Sequence, residues 1–211
     1  GMTLAAGETF MIAAPKPVTI TFSGAFTAGA GVELNAAGAA SDLALIVNGS
    51  FVLGANSTLN GSVAAIGAGD ITVGAGSAVV GNISTQTGYV TVGVNTTMGG
   101  SISTQTGYVT LGAGTNVSGA VSTRDQGYVV LGAGARVGGA IEVTGGGYVT
   151  TGDSASVGGN ISTTNGGITL GANGFTGGTV AVSEVGAVTL GASAYVVGNV
   201  TTHLGGVTVG A

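Results

Sequence analysis

Apolar side chains recur at every second position in short bursts, as in Val109-Thr110-Leu111 and Val117-x-Gly119-x-Val121, and glycine ends each burst after three to five residues. A period of two belongs to a strand with one buried face, so the chain predicts short β-strands and almost no helix. The bursts themselves repeat. Units of the form x-Val/Thr-Leu/Val-Gly-Ala begin at Phe51, Ile71, Val90, Val109, Val129, Val149, Ile168, Val188 and Val207, 19 or 20 residues apart. Glycine holds the fourth position of every unit, from Gly54 to Gly210, and the eleventh, from Gly61 to Gly198. The thirteenth position is always β-branched: Val63, Ile83, Ile102, Val121, Ile141, Ile161, Val180 and Val200.

A repeat of this length with two or three short strands and glycine corners is one coil of a β-solenoid, each coil bonding to the next about 4.8 Å away. The fold class is therefore all-β, a single-stranded solenoid expected to be a right-handed, three-sided parallel β-helix. Nine unit starts give a rod of about 40 Å before the N-terminal part is added. Parity places Gly119 and Ala113 inward, which predicts a narrow interior there, and glycine at the corners suits a positive φ. A membrane barrel is the rival architecture, but spanning strands need about 9 to 11 alternating residues, more than these bursts supply. Residues 1–50 lose the period. Pro15-Lys16-Pro17 reads as a break, Val18 to Phe22 as a strand, and Phe26-Thr-Ala-Gly29 as a degenerate coil. The expected division is an N-terminal cap with irregular coils over 1–50 and a regular solenoid over 51–211, one continuous domain.

Composition narrows the function. The chain of 211 residues has 45 glycines, 2 prolines, no cysteine and a formal charge of -5. Its 44 % apolar content excludes a solvated disordered chain. Three cations, Lys16, Arg124 and Arg136, are too few to neutralise phosphates, so nucleic acid is excluded as a partner. No run approaches the ~18 apolar residues of a transmembrane helix, and no signal peptide is recognised. Gly1-Met2 and the stop at Ala211, partway through a unit, read as a piece excised from a longer protein. Eight Asn-x-Ser/Thr sequons, among them Asn48, Asn82, Asn116 and Asn199, would invite heavy glycosylation in a eukaryotic secretory route and favour a bacterial source.

On such a rod, binding groups must lie on outward positions. The second position of the unit carries Thr72, Thr91, Thr110, Thr150, Thr169, Thr189 and Thr208, interrupted by Val130. Stacked from coil to coil, their hydroxyls make a ladder that could order water or meet ice, though threonine also stacks simply for its β-propensity. Two positions earlier stand Tyr89, Tyr108, Tyr128 and Tyr148, on the same face by parity. This strip could bind carbohydrate or protein, or merely brace the sheet. A second row, Asn82, Ser101, Asn160, Thr179 and Asn199, followed two residues on by Ser84, Ser103, Ser162, Ala181 and Thr201, can hydrogen-bond along the rod. Catalysis finds little support. His203 is the sole histidine, and the acids Glu8, Glu33, Asp42, Asp70, Asp125, Glu142, Asp153 and Glu184 are scattered. Gly67-Ala-Gly69-Asp70 looks like one turn of a calcium-binding nonapeptide, but such sites need the aspartate in successive turns. No catalytic residue, metal ligand or cofactor is predicted.

The run Val129-Val-Leu-Gly-Ala-Gly-Ala-Arg-Val-Gly-Gly-Ala-Ile141 and its cousin from Ile71 to Ile83 resemble the repeats of bactofilins, bacterial polymer-forming proteins, over residues 51–209. The resemblance implies a β-helix able to associate end to end, without cofactor or catalytic site. The bactofilins are richer in charge, with coils of about 18 residues, and exported bacterial surface proteins with glycine, alanine and threonine repeats look similar. The expected function is a non-enzymatic structural or adhesive module of a bacterial cell-surface or extracellular protein, its partner a second copy, another surface protein or a glycan. The alternatives are ice binding through the threonine ladder and a cytoskeletal bactofilin-type polymer, which leaves the cytoplasm open.

Overall fold

The repeat closes into a three-sided parallel β-solenoid. The structure, a computed structural model, describes residues 1–13 and 17–211. The break expected at Pro15-Lys16-Pro17 therefore lies mostly outside the described residues. Each coil contributes one strand to each of three sheets. Sheet A has eleven strands, from Met2–Leu4 to Val207–Val209; sheet B has ten, from Thr9–Phe10 to Tyr195–Val196; sheet C has ten, from Val18–Phe22 to Val200–Leu204. Every strand pairs in parallel with its counterpart one coil away, as Ile71 does with Val90 and Ile83 with Ile102. The one helical turn among the described residues is a 3-10 turn at Ala40–Asp42.

The three sheets continue into the first fifty residues, with strands on both sides of residues 14–16. Met2 lies opposite Phe26 and Phe26 opposite Phe51, steps of 24 and 25 residues in place of 19 or 20. In the second coil the extra length sits between the strands Glu33–Leu34 and Leu43–Asn48. Side-chain amides pin it down: Asn60 Nδ2 donates to Ala36 O at 2.8 Å and to Gly38 O at 3.1 Å, and Asn35 Nδ2 donates to Asn60 O at 2.9 Å. The sequence period is lost here because the loop lengthens, while the strand register is kept.

Inward side chains form one continuous core. The thirteenth-position column is fully buried from Val63 to Val180, and only Val200, near the last coil, is partly exposed. At the N-terminal end aromatic rings pack together, Phe26 stacked on Phe51 at 5.4 Å and Phe22 tilted against Phe26 at 4.9 Å. Buried hydroxyls line the corner between sheets A and B and satisfy glycine carbonyls one coil below: Ser77 Oγ donates to Gly54 O at 3.0 Å, Thr96 Oγ1 to Gly74 O at 3.1 Å, and Thr115 Oγ1 to Gly93 O at 3.0 Å. A buried hydroxyl without a partner is costly, and among the described residues only Thr123 Oγ1 and Thr176 Oγ1 lack one.

One expectation about the corners is corrected, and another holds for only some of the glycines. Ala113 does not point inward. It is exposed, and Thr115 takes the interior position, because the turn through Ala113 and Gly114 (φ +68°) breaks strict alternation after Leu111. Positive φ is met at corner glycines such as Gly76, Gly114 and Gly134, but not at the fourth-position ones. A Cβ on Gly112 would sit 2.6 Å from Val94 N, and one on Gly132 would sit 2.5 Å from Ala113 N, so close approach of successive coils demands glycine. Positive φ falls two residues later, where asparagine and serine also serve, as at Asn95 (54°), Asn173 (55°) and Ser154 (57°).

Candidate functional site

Register assembles the predicted ladders on the outer face of sheet A. Thr72 stands beside Thr91, Thr91 beside Thr110, Thr150 beside Thr169, Thr169 beside Thr189 and Thr189 beside Thr208, with Val130 between Thr110 and Thr150. The column continues below through Val52 and Thr27 to Thr3, two threonines missed for want of a period in that part of the chain. Thr91, Thr169, Thr189 and Thr208 are exposed; Thr72, Thr110 and Thr150 are half-buried.

The tyrosines share that face. Successive ring centroids are 4.8 Å apart for Tyr89 and Tyr108, 3.8 Å for Tyr108 and Tyr128, and 4.8 Å for Tyr128 and Tyr148, with interplanar angles of 8°, 13° and 9°. Stacked face to face, the rings spend their π-faces on one another and present edges and hydroxyls outward. A sugar ring docks on an aromatic face, so of this strip only the outer faces of the end rings, Tyr89 and Tyr148, can serve such a contact. Beyond Tyr148 the same column holds Gly167, the residue whose carbonyl accepts the Val149 amide at 3.1 Å. Large neighbours therefore flank the threonines from Thr91 to Thr150, and small ones flank Thr169, Thr189 and Thr208.

Burial of Tyr128 between its neighbours, reinforced by Tyr148, Tyr108 and Tyr89, holds its phenol above the usual 10.0. The neutral phenol is thus favoured by the fold: its contribution to stability is present below the unfolded value and is lost as pH rises through the folded one. Alkaline titration followed by phenolate absorbance should show one late-ionising tyrosine, absent in Tyr128→Phe; superimposable curves would refute the raised value.

The second row does a structural task. Asn82 Oδ1 accepts the Ser101 amide at 2.8 Å and Asn160 Oδ1 the Thr179 amide at 2.9 Å, tying coils together at the corner between sheets B and C. Acids are used similarly: Asp70 Oδ1 accepts from Tyr89 N at 2.8 Å and Asp153 Oδ1 from Ala172 N at 2.9 Å. His203 is exposed on the last strand of sheet C. Among the described residues no group of three or more histidines and acids is placed to hold a metal, and no helix is long and apolar enough to cross a membrane.

Sheet C carries a feature that the ladder reading overlooked. Its outer face holds two contiguous hollows, about 360 and 350 Å³, that meet at Ser122 and Arg124. Ser84, Ser103 and Ser122 form the floor in register, and Gln86, Gln105 and Arg124 form a parallel row at the rim. The identical heptapeptides Ile83–Tyr89 and Ile102–Tyr108 are the sequence signal that marks it.

No protein-family model, curated protein or solved structure matches the chain.

Proposed function

We propose that this chain is a non-enzymatic structural and adhesive rod of a bacterial cell-surface or extracellular protein, and that rods associate head to tail. The observation that carries the reading is the form of the two end faces. Each end presents strands of the same three sheets, running in the same sense, so one end can continue the other's sheets without inversion. Such a contact is heterologous and extends into filaments. The N-terminal face holds an apolar hollow of about 220 Å³ lined by Met2, Phe10, Ile20 and Phe22 above Leu34 and Leu45. The opposite face exposes Leu204, Val207 and Val209 at 60 %, 47 % and 68 %. Burying one apolar face on the other, with parallel pairing of the edge strands, supplies the driving force.

Val207→Pro tests this with little damage to the fold. Val188 N donates to Gly206 O at 3.0 Å, towards the next coil, so in the same register Val207 N points to the free edge. Proline removes that donor and leaves the ladder below intact. Light scattering and negative-stain microscopy should show end-to-end species that grow with concentration and vanish in the variant. A monodisperse wild-type monomer at all concentrations would overturn the stacking.

A further inference from the structure

We infer that the hollow face of sheet C is a binding groove for a neutral oligosaccharide chain lying parallel to the rod axis. The inference rests on the adhesive half of the function proposed above and is independent of the stacking half. Three properties of the groove define its occupant.

The first is direction. Strands cross the groove at right angles and their backbone groups are consumed in coil-to-coil bonds, such as Ile83 N to Ser101 O at 2.9 Å and Gln105 N to Thr85 O at 3.2 Å. A ligand in the groove therefore meets side chains only. The second is repeat. Ser84, Ser103 and Ser122 present one hydroxyl per coil, and Gln86, Gln105 and Arg124 one amide or guanidinium per coil, at the coil spacing of about 4.8 Å. An extended peptide advances about 3.3 Å per residue and falls out of phase with that spacing. A chain of linked pyranoses advances by close to one coil per sugar, so each sugar can set a hydroxyl against one coil's side chains. The third is chemistry. Hydroxyls and primary amides both donate and accept, as vicinal sugar hydroxyls do. Where the two hollows meet, Arg124 supplies donors only, and Glu142, directly beside Ser122 in the next coil, supplies acceptors. One cation and one anion leave the groove neutral, in a chain of charge -5, which selects against an acidic glycan.

The serine and glutamine rows, with Arg124, occupy three consecutive coils, and Glu142 and Thr144 line the hollow one coil further, while below the floor and rim become Ala64 and Ile66; the polar stretch of the two hollows therefore spans about four sugars at one per coil. Gln86 is tethered, its Oε1 accepting the Gly67 amide at 2.8 Å, which leaves the hydrogens of its Nε2 as donors for a ligand.

The test is calorimetric titration of the whole chain with cellotetraose, chitotetraose and mannotetraose, beside the acidic tetragalacturonate. At least one neutral tetrasaccharide should bind. The double variant Gln105→Ala, Arg124→Ala should weaken it about tenfold or more, as expected for losing two sets of ligand hydrogen bonds. Ser156→Ala, on the outer face of sheet B, should bind as wild type does. Circular dichroism and thermal unfolding establish that the variants fold; because both positions are exposed, they should. No binding by any neutral chain, binding unchanged in the double variant, or preference for tetragalacturonate would each overturn the proposal. Light scattering on the same samples reports stacking separately, so failure of one reading is distinguishable from failure of the other.

Discussion

Gly112→Val should cost about 3 kcal/mol or more in urea unfolding, while Gly134→Asn, in the next coil, should stay within about 1 kcal/mol. Both glycines belong to the same kind of corner, yet they are constrained by different physics. At Gly112 the added Cβ would meet Val94 N at 2.6 Å and Val94 Cα at 2.9 Å, backbone atoms that cannot move without parting the coils. Relief would require separating the sixth coil of sheet A from the fifth, and with them the hydrogen bond from Gly112 N to Val92 O at 2.8 Å. Valine adds two further methyl groups to that clash. At Gly134 nothing lies within 4 Å of the added atom, and the constraint is φ +66° alone. Asparagine tolerates that region, and it already occupies the equivalent position at Asn56, Asn95 and Asn173. Equal losses at the two sites would show that close approach is not what keeps glycine at the fourth position.

Phe51→Ala should destabilise the fold by about 3 to 5 kcal/mol, and hydrogen exchange should find the loss concentrated in residues 2–48. Phe51 is fully buried and is the largest of the fully buried side chains. Its ring stacks on Phe26, which in turn packs on Phe22, so it is the step by which the two long N-terminal coils rest on the regular ones. A solenoid has nearest-neighbour contacts only, so the coils beyond a weakened interface lose protection before those behind it. Phe51→Leu keeps most of the volume and should recover part of the loss. Uniform loss of protection along the whole rod would mean that the coils unfold as one unit, and the nearest-neighbour description would fail.

The architecture could be read because its cause is local. Alternation at Val109, Leu111, Val117 and Val121 defines strands, and the 19- or 20-residue spacing stacks them, so the three sheets follow from periodicity. Reading failed where side-chain direction depends on turns. Strict parity carried Ala113 inward, but a turn with one positive-φ residue resets the alternation and brings Thr115 in. The constraint on Gly112 escaped because the atoms it must avoid belong to the preceding coil, 18 and 19 residues away in the chain. The N-terminal coils hid behind variable loops, although Phe26-Thr27-Ala28 carries the sheet A pattern and falls in register with Phe51-Val52-Leu53. Both surface ladders were visible as columns. Self-stacking of the tyrosines was one of the two readings their column allowed; the near-parallel ring planes themselves depend on ring orientation, which spacing does not carry.

The backbone hydrogen bonds of all three sheets point along the rod, from each coil to the next. Tension between the two ends therefore does not shear many bonds together; it opens them in series, at whichever outer coil is weakest. Each coil released yields 19 or 20 residues of slack, about 65 Å of extended chain in exchange for about 4.8 Å of rod. Under load such a rod lengthens stepwise and limits the force it passes from one end to the other.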